Sequence, residues 1–355
     1  MNLKDFFIKN RVILFVFLLI LLLSFGSVLF FPSDFSADKT SETSQKSLNV
    51  LNWTSYLPAD VLHDFESETG IKINYGTYSS NEELLAKVSA SKPGTYDLVF
   101  PSDYMVDLMS ERLMLLRLDK SKLKNLENLN PTFLSQPFDL ENEYSLPFLL
   151  ATTVLVYDSE KLDSPVLSYK DLTRPELKNN IVLLDDERIM IGAMLNAAGK
   201  GMNDSTPESL SEAFTFFEKL RPNVKAFDSD SPKSFLITNE VDAGLVWNAE
   251  ATLAQSSRPS LKTAYPAEGF ALSMDNFVVL AGSKKADLAY LFIDYLLRDD
   301  VSKRIVSAYP YISPNRSAET LSSAELEEIF SRGSYVKNVD KDSIKKFDRL
   351  WAKFK

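Results

Sequence analysis

The chain contains no cysteine and a single histidine, His63. Without thiols there can be no disulfide, thiol nucleophile, iron–sulfur cluster or cysteine-based zinc site. One imidazole excludes a multi-histidine metal centre, and a Ser–His catalytic pair would have to use His63. That residue lies between helical positions with acidic neighbours and reads as an exposed helix residue. GxGxxG, the phosphate-binding loop and GxSxG are all missing. No catalytic residue, metal or cofactor is therefore assigned. Positive charge is the scarcer sign, with 39 Lys and Arg against 49 Asp and Glu and a formal net charge of -10. This balance opposes binding to nucleic acid and suits a cationic partner.

Residues 12–32 (VILFVFLLILLLSFGSVLFFP) carry no charge and follow Lys4, Lys9 and Arg11. A helix of ~20 apolar residues spans a bilayer core, and basic residues before it keep that end in the cytoplasm. The rival is a cleaved signal peptide, whose apolar core is usually ~7–15 residues and ends at a small-x-small site. The run here is longer, and at 35–37 (FSA) a phenylalanine stands where a small residue is needed. An uncleaved anchor is favoured, and the lack of cysteine excludes a lipoprotein anchor. Either reading makes residues 1–11 a basic cytoplasmic stub and puts the rest of the chain outside the cytoplasm. Residues 33–47 (SDFSADKTSETSQKS) are polar and rich in Ser and Thr, as in a flexible tether.

From Leu48 onward strand and helix patterns alternate, with no internal repeat. Strands are expected at 48–51, 71–75, 96–100, 182–184, 243–247 and 276–280. Helices are expected at 60–69 (stopped by Gly70), 82–90, 105–113, 187–198, from Pro207 to about Leu220, at 286–297 and at 343–355. Such strand–helix units argue for parallel α/β sheets, and a chain of 355 residues normally divides into two lobes. Ligands of open α/β sheets bind at the carboxyl ends of strands. Those ends carry NWTSY at 52–56, PSDY at 101–104, DDER at 185–188 and WNAE at 247–250. MDN at 274–276 marks a strand start, and YPY at 309–311 follows the helical region near residue 300. An alkylammonium is held by aromatic faces, at ~0.5–2 kcal/mol per contact when desolvated, and by carboxylates at its N–H donors. A pocket of rings with acids at its ends would therefore hold an elongated amine.

Each feature also has an ordinary structural use. Asp185, Asp186 and Glu187 open a helix, where acids offset the helix dipole. Trp53 and Trp247 suit a core or a lobe interface, Asp275 suits a turn, and Trp351 reads as packing on the terminal helix. DSD at 228–230 lacks the spaced ligands and final Glu of a calcium loop.

Several segments together resemble the spermidine/putrescine-binding proteins of polyamine ABC importers, from about Asn49 to the C-terminus. They are NWTSYLP at 52–58, FESETGIKINY at 65–75, YSSNEELLAK at 78–87, TYDLVFPSDYMVDLM at 95–109 and LDKSKL at 118–123. NLNPTFL at 128–134, LLDDER at 183–188, LVWNAEA at 245–251, MDNF at 274–277 and YISPN at 311–315 complete the set. The resemblance implies a two-lobed periplasmic-binding-protein fold with a hinge and a ligand cleft between the lobes. It implies ligand contacts from Trp53, Tyr56, Ser102, Tyr104, Asp186, Trp247, Asp275 and Tyr311. The aromatic positions box the methylene chain, Asp275 grips one amino group and Asp186 serves the other end. The chain departs from the family at four places. Ile189 and Ser55 replace usual Glu residues, Ser273 replaces a Trp, and Tyr335-Val336 stands where a Gln contributes. One end of the site is thus less acidic and less aromatic than in the family.

The expectation is a non-enzymatic, extracytoplasmic, monomeric substrate-binding component of an ABC importer. It binds a polyamine and passes it to a membrane permease with a cytoplasmic ATPase. Lobe one comprises 48–152 and 276–330, and lobe two comprises 153–275 and 331–355, with chain crossings near 151–154 and near Asp275. The alternatives are a solute-binding protein for an iron chelate, thiamine or an amino acid, and an anchored sensor of the same fold. A glycosidase would need Asp186 and Asp275 ~5–9.5 Å apart as an acid–base pair.

Overall fold

The alternation in SLNVLNW forms β1 (Ser47–Trp53), the first element of the computed structural model, which describes residues 46–355. The expected anchor at 12–32 lies outside the described residues. Helix α1 (Ala59–Thr69) follows and buries Val61 and Phe65. Its end is set by Gly70, whose φ of 69° is the left-handed conformation a glycine adopts at little cost. β2 (Lys72–Tyr78) then returns parallel to β1, with Ser47 opposite Lys72 and Trp53 opposite Tyr78. Ser80 caps α2 (Asn81–Ala90) by accepting from the Glu83 N–H. β3 (Leu98–Val99) pairs parallel with β1, and α3 (Asp103–Glu111) starts immediately beyond it.

A second set of parallel strands comes later in the chain. β5 (Ile181–Leu183) pairs with β6 (Val224–Phe227) and with β7 (Ala243–Trp247). Between them lie α4 (Glu187–Ala197), α5 (Pro207–Leu220) and the short α6 (Lys233–Ile237). α5 starts with Pro207 in its first turn, as expected, but the cap is Thr206, which accepts from the Ser209 N–H, and not the Ser205–Glu208 pair that the sequence also suggests. α7 (Asn248–Ser257) follows β7 without a gap.

The parallel expectation holds within these two sets and fails where they meet. Two long strands, β4 (Leu146–Asp158) and β9 (Phe270–Val279), join the sets through antiparallel pairs, in the order β2-β1-β3-β9-β4-β7-β5-β6. β4 escapes the sequence pattern for a physical reason. It reads LPFLLATTVLVYD and is buried at every position but Tyr157, so no polar face alternates with the apolar one. It also changes partner midway: Thr152 faces Leu272 of β9, and Thr153 faces Trp247 of β7. β9 begins at Phe270, six residues before the expected start at 276, so Asp275 sits inside a strand. The short β8 (Leu261–Ala264) and β10 (Gly333–Tyr335) extend the edges on β4 and β9.

The remaining helices are α8 (Ala286–Leu296), α9 (Asp299–Ala308), α10 (Ser323–Arg332) and α11 (Lys341–Phe354). One apolar cluster gathers Val50, Phe65, Phe100, Phe277 and Phe292, and another gathers Leu183, Met194, Phe217 and Leu245. α11 joins the second, where Phe354 stacks on Phe217 with ring centroids 3.9 Å apart. Trp351 packs edge-on against Phe227 as expected, and His63 is exposed on α1. Among the described residues no helix is long and apolar enough to cross a membrane.

Gly244 lies in β7 between β4 and β5. A Cβ there would meet the Val182 carbonyl oxygen at 2.6 Å and Val182 Cγ1 at 2.7 Å, so backbone rather than a flexible side chain would have to yield. Gly244→Ala is expected to destabilise the protein by roughly 1–3 kcal/mol, read as a lower urea midpoint at an unchanged slope.

Candidate functional site

The ends of the strands converge on one cleft, with a cavity volume of about 70 Å³. All eight residues singled out in the sequence line it: Trp53, Tyr56, Ser102, Tyr104, Asp186, Trp247, Asp275 and Tyr311. The reason is topological. Trp53 and Trp247 are the last residues of β1 and β7. Ser102 and Tyr104 flank the start of α3 just beyond β3. Asp186 lies beyond β5 as the N-cap of α4, accepting from the Ile189 N–H at 3.0 Å. Asp275 comes instead from the middle of β9, and Tyr311 from the segment after α9.

Aromatic rings build one wall. Tyr56 lies 4.8 Å from Tyr311 and 6.2 Å from Trp53, centroid to centroid, and Trp53 lies 4.7 Å from Tyr78. The Trp53 indole is fixed by donating Nε1–H to the Phe100 carbonyl at 2.9 Å, and the Tyr78 hydroxyl donates to the same oxygen at 2.6 Å. These donors are therefore engaged by the backbone, which leaves the ring faces for other contacts.

Asp275 is the buried acid of this wall, 2% exposed. Ser102 Oγ donates to its Oδ1 at 2.6 Å, and the Tyr56 hydroxyl faces the same carboxylate. Burial pushes the carboxyl up to about 7, against the pull of these donors. Among the described residues no Lys or Arg forms an ion pair with Asp275 or with Asp186. Asp186 lines the same cleft, and desolvation moves it up to about 6. Glu187 is pushed up to about 7 by burial and then by the charges of Asp348 and Glu82. The Tyr104 hydroxyl donates to Glu82 Oε1 at 2.8 Å, and the Arg188 guanidinium lies over the Tyr104 ring at 5.6 Å.

Other lining residues were not singled out as ligand contacts in the sequence, although Asp103 and Asn81 stand in the PSDY and YSSNEELLAK runs. Asp103 is buried and moved up to about 8 by desolvation. Its oxygens accept from the Tyr104 and Met274 N–H groups at 2.6 and 3.1 Å, which ties α3 to β9. Asn81 lines the cleft, and so does Ser229, whose buried hydroxyl has no hydrogen-bond partner. Ser229 follows β6, a strand the hydropathy pattern did not reveal, in the DSD run weighed only as a calcium loop. Among the described residues no group of three His, Cys, Asp or Glu is placed to hold a metal ion. The four departures also cluster here, since Ser55, Ile189, Ser273 and Val336 all line the cleft.

A cleft lined by rings and by acids that lack a cation partner, Asp275 and Asp186 among them, suits an elongated cation. A sequence profile of the bacterial extracellular solute-binding proteins matches residues 60–329. The spermidine/putrescine-binding periplasmic protein of Salmonella typhimurium is 40% identical over 280 residues, covering 79% of this chain and 80% of that protein. A putrescine-binding periplasmic protein of Escherichia coli is 32% identical, covering 81% of this chain and 83% of that protein. A solved spermidine/putrescine ABC transporter substrate-binding protein from Streptococcus pneumoniae is 32% identical with a TM-score of 0.74, covering 87% of this chain and 98% of that one. These findings bear out the resemblance seen in the sequence and the α/β periplasmic-binding-protein fold. The chain belongs to the bacterial extracellular solute-binding protein family, whose members bind a solute and do not transform it.

The raised Asp275 value makes a stability statement. The folded protein holds this proton more tightly than the unfolded chain, whose Asp titrates near about 3.9. The contribution is fully present below about pH 4 and is lost as pH rises through about 7. Between pH 5 and pH 8 the ligand-free protein is expected to lose on the order of 2 kcal/mol more stability than Asp275→Asn does. Urea titrations of both proteins at the two pH values measure the difference.

Proposed function

We propose that this member of the solute-binding family captures a polyamine of the putrescine/spermidine class in the cleft and delivers it to an ABC permease. One observation carries the reading. Asp275 is an acid held in a dry wall of aromatic rings, beside two hydroxyl donors and no cation. Desolvating an unpaired carboxylate is costly, and an alkylammonium removes that cost by forming a charge-assisted hydrogen bond. The rings of Trp53, Tyr56 and Tyr311 then face the methylenes, and Asp186 faces the far end. A ligand carboxylate or phosphate placed there would meet the same acids as repulsion. Relatives that cover most of this chain and carry spermidine and putrescine in their names support the assignment.

In this proposal the two apolar clusters are the cores of two lobes, one of 48–152 with 276–330 and one of 153–275 with 331–355. A ligand that touches both lobes favours the closed arrangement, because only that arrangement supplies all its contacts. The closed form is what the permease and its ATPase receive. The protein works outside the cytoplasm as a monomer, held to the membrane through residues 12–32.

Calorimetry with putrescine, cadaverine, spermidine and spermine tests the assignment. At least one of these amines is expected to bind, and Asp275→Asn and Trp247→Ala are each expected to weaken that binding tenfold or more while melting as cooperatively as the parent. Undiminished affinity in both variants would place the binding site elsewhere.

A further inference from the structure

Glu250 is an acid of the cleft that the reading above does not use. It lies in the first turn of α7, three residues after Trp247, is buried, and lines the same cavity as Asp275 and Asp186. An acid in that turn ordinarily offsets the helix dipole. Here, however, both carboxylate oxygens are turned onto the ammonium of Lys233, at 2.8 Å each. Lys233 is the first residue of α6, and its side chain is itself largely covered, 27% exposed.

The electrostatic consequence is direct. Asp275 and Asp186 face the cavity without an ion-pair partner, Asp103 has both oxygens engaged by the Tyr104 and Met274 N–H groups, and Glu250 presents a neutralised pair. A ligand ammonium arriving at Glu250 would have to displace Lys233 and leave that cation unpaired in a partly desolvated place, which is unfavourable. If it did not displace Lys233, it would meet a like charge. Lys233 thus occupies the position that a further ammonium would otherwise take. Asp230, which also lines the cavity, is exposed to solvent and attracts a cation more weakly, and Glu187 is not part of the lining.

We infer that Lys233 is a specificity-determining residue that masks Glu250 and so tunes the cleft to two ammonium groups instead of three. The inference rests on the polyamine reading of the cleft and deepens it to a preference for diamines over triamines. Removing the Lys233 charge opens a third acidic subsite, and removing Glu250 alone leaves an unpaired cation beside the cavity.

The test is calorimetry on the full chain with putrescine and spermidine as probes, at one pH and one salt concentration. Lys233→Met is expected to shift the spermidine-to-putrescine affinity ratio about tenfold toward spermidine, about 1.4 kcal/mol. The double variant Lys233→Met, Glu250→Gln returns the ratio to the parental value within about twofold, and Lys233→Arg keeps it there. Glu250→Gln alone weakens both amines at least about fivefold. A Lys233→Met ratio within about twofold of the parent, or a shift that persists in the double variant, overturns the inference, as does a Glu250→Gln protein of undiminished affinity. In those cases parental binding of either amine leaves the polyamine reading standing. If the parent binds neither amine, that reading falls and takes this inference with it.

Discussion

The site depends on one contact, the Ser102 hydroxyl on the buried Asp275 carboxylate at 2.6 Å. It joins the start of α3 to the middle of β9, and the backbone extends the link, with Ser102 and Asp275 paired as a single antiparallel bridge. Asp103 repeats the connection one residue later by accepting from the Met274 N–H. Together these bonds hold an acid at a fixed depth behind the rings. Hydroxyl and aromatic donors satisfy part of its hydrogen-bonding capacity and none of its charge, and in the proposed function this remaining charge is what a ligand cation meets.

The scaffold explains why so few residues are needed. Each strand end delivers its side chain at a position set by sheet register, so Trp53 and Trp247 need no support from long loops. The Trp53 ring is locked by its bond to the Phe100 carbonyl, so little side-chain freedom remains to be lost when something packs against it. Charged groups of the wall fall into two kinds, those with partners within the protein and those without. Lys233 with Glu250 belongs to the first kind, Asp275 and Asp186 to the second. That division cannot be inferred from composition, because it depends on which helix the loop after β6 brings alongside α7.

The same logic separates what the sequence revealed from what it hid. Strand-end residues such as Trp53, Ser102, Asp186 and Trp247 were legible because short alternating runs and helix starts bracket them on both sides. Gly70 and Pro207 fixed helix boundaries through their own backbone preferences. β4 was not legible, since a strand buried on both faces has no periodicity, and the antiparallel centre of the sheet went unseen with it. For the same reason Asp275 was identified as important but was placed at a strand start, while its strand in fact begins at Phe270. Ser229 and Lys233 follow β6, whose short half-buried run gave no strand signal, so the cleft's use of this strand end was hidden.

β4 also has a mechanical meaning. It passes from one partner to another between Thr152 and Thr153 without interrupting its own extended path. Bonded neighbours on either side of that point leave no slack segment to swing. In the proposed two-lobe arrangement, a displacement of one lobe against the other would twist β4 at this point, with β9 beside it.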